Sequence, residues 1–78
     1  MVFDYFNLDP ALKSALMPFA PATKMAALRQ VDAYYKAIDS GDEPLCIELE
    51  EAINAETGEK LKAILAIFRV CDTAAVFA

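Results

Sequence analysis

An all-α fold, a small bundle of three main antiparallel helices behind a short N-terminal helix, follows from three features of this sequence. Apolar residues recur at spacings of three and four over long stretches, as on one face of a helix. Proline and glycine punctuate the chain at Pro10, Pro18, Pro21, Gly41, Pro44 and Gly58, where helices start and stop. No run alternates apolar and polar residues as a half-buried strand does. A chain of 78 residues makes one domain and not two, so residues 1–78 are read as a single helical domain.

Residues 1–8 carry Val2, Phe3, Tyr5, Phe6 and Leu8, too apolar for a solvated tail. They are expected to form an arm that packs on the helices or docks on a neighbouring subunit. Asp9-Pro10 starts the first helix, 10–17: Asp accepts orphan N–H groups and Pro at the first position lacks one. Pro18 ends it. The second helix, 22–40, places Ala27, Leu28, Val31, Tyr34, Tyr35 and Ile38 on one arc. Arg29, Asp32, Lys36 and Asp39 fall opposite. Gly41 supplies the left-handed residue that closes it, and Asp32–Lys36 is a favourable i,i+4 pair.

Pro44 opens the third helix, 44–56, with Asp42 or Glu43 as its cap. Leu45, Cys46, Leu49, Ala52 and Ile53 share a face there, while Ile47 projects among Glu43, Glu50, Glu51 and Asn54. Gly58 either breaks the chain or sits inside one long helix at a loss of about 1 kcal/mol. The composition of 54–58 favours a break, with a last helix at 59–76. Its broad apolar face holds Leu61, Ile64, Leu65, Ile67, Phe68, Cys71 and Ala75. The expected core is Leu28, Val31, Tyr35, Ile38, Leu49, Ile53, Leu61, Ile64, Phe68 and Cys71.

Apolar residues make up 58 % of the chain without counting glycine, against roughly 45–50 % with glycine in an average soluble protein. A domain this small buries only about 60 % of its unfolded surface. Surplus apolar surface is therefore expected to meet another chain, most simply a second copy, giving a homo-oligomer. Phe3, Phe6, Val70, Val76 and Phe77 are the candidate oligomer contacts, because they lie in the apolar arm, off the main helix face, or at an apolar end.

Several chemistries lack their parts. There is no histidine, which removes the commonest general base and transition-metal ligand. Two glycines cannot make a P-loop or a dinucleotide-binding turn. Cys46 and Cys71 form no CxxC pair and are read as buried, reduced thiols. The acidic turn 39–43 lacks the ligand spacing of a calcium loop. The expectation is no enzyme, no cofactor and no metal. The N-terminus has no basic segment followed by an apolar run, and the apolar stretch 61–78 is interrupted by Lys62, Arg69 and Asp72. Neither a signal peptide nor a membrane span is expected, and the protein is read as cytoplasmic.

Charge is distributed unevenly. The net charge is −5, which disfavours direct binding to nucleic-acid phosphates or anionic lipid. Residues 39–59 hold eight acids and no base, whereas 1–38 sum to +1 and 60–78 to +2. Glutamates that merely solvate a helix face would look the same. The functional alternative is an acidic patch that steers toward a basic protein surface, with Ile47 as its apolar anchor. Glu43, Ile47, Glu50, Glu51 and Asn54 are the candidate partner-binding residues.

Tyr34-Tyr35-Lys36-Ala37-Ile38 and, eight residues later, Ile47-Glu48-Leu49-Glu50-Glu51 resemble part of the Sda family, small helical-hairpin inhibitors of sporulation histidine kinases. The resemblance covers only these segments and implies an antiparallel hairpin. The family contacts its kinase through a loop leucine and a phenylalanine at the next helix start. Asp42 and Cys46 stand at those positions, so antikinase activity is not implied.

The expected function is that of a small acidic regulatory or inhibitory protein that binds a macromolecular partner. Two other readings fit the same features: a nucleic-acid mimic of the kind phages use as inhibitors, and a structural subunit of a larger helical assembly.

Overall fold

A computed structural model describes residues 8–77, with side chains described for residues 8–71. Among them are four α-helices and no strand: α1, Pro10–Leu16; α2, Pro21–Ser40; α3, Glu43–Asn54; and α4, Gly58–Phe77. Phe3 and Phe6 of the expected arm lie outside the described residues.

The helix ends have local causes. The Asp9 Oδ1 accepts the Ala11 N–H at 2.9 Å, and Pro10 occupies the first turn. No side chain caps α2, which starts directly on Pro21. It ends at Gly41, whose φ of +73° is left-handed. There Gly41 N–H donates to the Ile38 carbonyl at 3.1 Å and Asp42 N–H to the Ala37 carbonyl at 3.2 Å, the paired bonds of a Schellman turn. Asp42 then turns its carboxylate onto the next helix, where Oδ1 accepts the Leu45 N–H at 3.2 Å. One residue thus closes α2 and caps α3. Gly58 has φ +67°, so α3 and α4 are separate helices with a turn between them.

α2 is the central element. It packs against both α3 and α4, and α1 lies on α4. The core is drawn from all four helices: Leu12 and Leu16 of α1, Ala27, Leu28 and Val31 of α2, Ile53 of α3, and Ala63, Ile64 and Ile67 of α4. Leu8, Phe19, Met25 and Val70 pack around it.

Several expected positions are corrected. Ile38, placed in the core, is 47 % exposed, because it sits in the last turn of α2 and lines a surface cleft. Tyr35, Phe68 and Cys71 only half-bury and pack on the edge of the core. Leu49 and Leu61 half-bury outside it. Leu65, on the expected apolar face of α4, is 51 % exposed. The cause is α1, whose Leu12 and Leu16 engage α4, so that its buried stripe centres on Ala63, Ile64 and Ile67.

Asp32 was expected opposite the apolar arc of α2 and is only 5 % exposed. A helix flanked by two others has a wider covered arc than a surface helix, and Asp32 and Ala37 fall inside it. The Asp32 carboxylate pairs with Lys36 Nζ at 3.1 Å, one turn on, so its charge is met as it leaves water. The cysteines are half-buried, Cys46 on α3 and Cys71 on α4, rather than fully buried.

Candidate functional site

α3 is the least embedded of the long helices. Of its residues only Ile53 is buried. Its i,i+4 spacing forces Leu45, Leu49 and Ile53 onto one side, yet Leu45 is exposed and Leu49 only half-buried. The opposite stripe consists of Glu43, Ile47, Glu50, Glu51 and Asn54, spaced by three and four residues, and every member is exposed. Ile47 stands 52 % exposed among the carboxylates. The five candidate partner-binding residues are therefore brought together on one helix face.

The eight acids of residues 39–59 do not all contribute equally to the field. The Asp42 carboxylate is engaged as a cap. Glu56 pairs with Lys60 at 3.2 Å, and Glu59 with Lys62 at 3.2 Å. Among the described residues, Glu43, Glu48, Glu50 and Glu51 have no lysine or arginine within ion-pair distance. The uncompensated negative charge is thus concentrated on α3, whose sequence contains no base.

Beside this stripe lies a cleft of about 420 Å³ where α2, α3 and α4 meet. α2 contributes Tyr34, Tyr35 and Ile38, α3 contributes Glu50, Ile53 and Asn54, and α4 contributes Phe68. The three rings form a cluster. Tyr34 and Phe68 are 6.2 Å apart and close to perpendicular, at 87°. Tyr35 and Phe68 are 6.0 Å apart at 70°, and the two tyrosines 6.0 Å apart at 48°. The two contacts to Phe68 are edge-to-face, a favoured aromatic geometry, and they hold the cleft wall in place. All three rings are half-buried, so each keeps part of its surface in contact with solvent. Glu50 and Asn54 belong both to the cleft and to the exposed stripe, which makes the two features one continuous surface.

The spacing of residues along α3 marks the stripe, whereas the cleft is hidden in the sequence because the same periodicity places Tyr35, Ile38 and Phe68 in the core. A signal was present in the adjacent Tyr34 and Tyr35. Neighbouring helix positions point about 100° apart, so two such rings cannot both aim at the centre of one core. Of the candidate oligomer contacts, Val70 is half-buried and packs on the core of its own chain. Val76 and Phe77 fall in the last turn of α4, and their side chains lie outside those described.

Among the described residues, no three cysteine or carboxylate side chains converge as a metal site. None of the described helices is long and apolar enough to cross a membrane. Compared with protein-family models, curated proteins and solved structures, the chain matches none.

Proposed function

We propose that this chain is a small cytoplasmic regulatory or inhibitory protein that acts by binding a basic surface on a protein partner, and that it carries out no catalysis. The observation that carries the reading is the α3 face: Ile47, exposed, set among Glu43, Glu50 and Glu51, which have no ion-pair partners among the described residues. An apolar anchor ringed by like charges fits a complementary surface better than it fits water. The reading takes the three long helices as an antiparallel bundle, favoured by the short links between them. It also takes the protein as a homo-oligomer, since Met17 and Leu65, away from the α3 face, leave apolar surface exposed.

The test is capture of partners from the native host by the tagged protein, repeated with Ile47→Arg and with Glu50→Lys/Glu51→Lys. These residues are exposed, so the variants should keep the parent's circular dichroism and melting temperature. Each is expected to lose the partner that the parent retains, and raising the salt from about 50 to 500 mM should weaken the parent's complex. Folded variants that retain every partner would remove the acidic face from the function.

A further inference from the structure

The cleft next to the acidic stripe has a composition of its own. Its wall combines Tyr34, Tyr35 and Phe68 with Ile38 and Ile53, its rim carries the Glu50 carboxylate and the Asn54 amide, and no lysine or arginine is among the described residues that line it. Neither Glu50 nor Asn54 is engaged with another described side chain. Aromatic rings that keep part of their surface in solvent can attract a cation through the ring quadrupole, and a carboxylate on the same cleft adds direct Coulomb attraction. An anion would meet Glu50 and the α3 glutamates, and a purely apolar group would leave the carboxylate without a counter-charge at the rim.

We infer that this cleft receives an arginine side chain projected from the basic protein partner, with the guanidinium stacked on the Tyr34–Tyr35–Phe68 cluster and its N–H groups donating to Glu50. Arginine fits better than lysine for a geometric reason. Its guanidinium is planar, stacks on rings, and presents a fork that matches a carboxylate. The Asn54 amide oxygen supplies a further acceptor beside it. The cleft, about 420 Å³, has room for the whole side chain and part of the backbone that carries it. The inference rests on the proposed partner binding and adds to it the identity of the group that enters the cleft.

The experiment uses the full chain and three blocked tripeptides, Gly-Arg-Gly, Gly-citrulline-Gly and Gly-Lys-Gly, followed by NMR of the aromatic ring signals. The arginine peptide is expected to shift the Tyr34, Tyr35 and Phe68 signals saturably, with a dissociation constant on the order of millimolar for so small a probe. Citrulline, equal in shape but neutral, should leave them unmoved, and lysine should bind severalfold more weakly. Glu50→Gln, a substitution at an exposed site, should weaken the arginine peptide about threefold to fivefold. Rings that do not respond, or that respond equally to citrulline or lysine, overturn the inference. Failure here is separable from failure of the proposed function: a partner lost on Ile47→Arg, with rings indifferent to the arginine peptide, keeps the acidic face and removes arginine from the cleft. Rings that respond, with a partner indifferent to Glu50→Gln, also overturn the inference, because the cleft then plays no part in the complex.

Discussion

At the scale of single residues, the fold depends on a few positions with a specific local task. Gly41 is the clearest. Its φ of +73° lies where a side chain clashes with its own backbone, while a Cβ built there would meet nothing within 4 Å. The penalty for replacing it is therefore conformational and not steric crowding by neighbours. Gly41→Ala is expected to lower stability by about 1–2 kcal/mol, and Gly41→Asn by less, since Asn tolerates the left-handed region. Urea titration of the three proteins gives the ranking, and an alanine variant as stable as the parent would contradict it. Asp42 stands beside it with two roles, an N–H that closes α2 and a carboxylate that caps α3. The connection between α2 and α3 thus rests on two adjacent residues.

Among the helices, α2 and α4 contrast with α3. α2 is packed on two sides, and α4 gives Ala63, Ile64 and Ile67 to the core. α3 gives only Ile53. Few buried apolar contacts mean a low free energy for local opening. Amides in the middle of α3 should therefore exchange with deuterium faster than those around Val31 and Ile64, by about tenfold for each ~1.4 kcal/mol of difference in opening free energy. Truncating the core should follow the same division. Ile64→Ala, at a fully buried site, is expected to cost about 2–5 kcal/mol, whereas Leu49→Ala on half-buried α3 should cost distinctly less. Equal protection along α3 and α2, or equal losses at the two sites, would mean that α3 is held as firmly as the rest. A helix with few buried contacts that bore the proposed recognition face could adjust to a partner at little expense in stability.

For the molecule as a whole, compactness and surface have to be reconciled. The radius of gyration is 12.2 Å, close to the about 11.5 Å expected of a compact chain this long. Compaction alone does not hide the apolar residues: Ile38, Leu45, Ile47 and Leu65 remain at least a third exposed. The surface also divides by charge, with unpaired glutamates on α3 and the lysines of α4 partly spent on Glu56 and Glu59. Self-association would cover part of the apolar surface, and the like-charged α3 faces should lie outside that contact. Light scattering at micromolar concentration is expected to give a mass above that of one chain, with little change on Glu50→Lys. A monomer at every concentration would leave the exposed apolar side chains to a different protein.

The sequence by itself determined the class, the order of the helices and most of their ends. These depend on local causes: the three-and-four spacing of apolar residues, the Asp9-Pro10 start and the Gly41 stop. At Gly58 it left a break and a continuous helix both open, and the structure decided for the break with a φ of +67°. The sequence also located the acidic stripe, because Glu43, Ile47, Glu50, Glu51 and Asn54 lie within two helical turns of their neighbours on one element. Only the tertiary structure decided which apolar faces are covered. Ile38 and Leu65 look like core by periodicity, and Asp32 looks like surface. Their burial depends instead on α1 docking against α4 and on α2 being flanked twice, neither of which leaves a mark in the local pattern. The cleft belongs to the same class of fact, since Tyr34, Glu50 and Phe68 sit on three helices and become neighbours only when those helices pack.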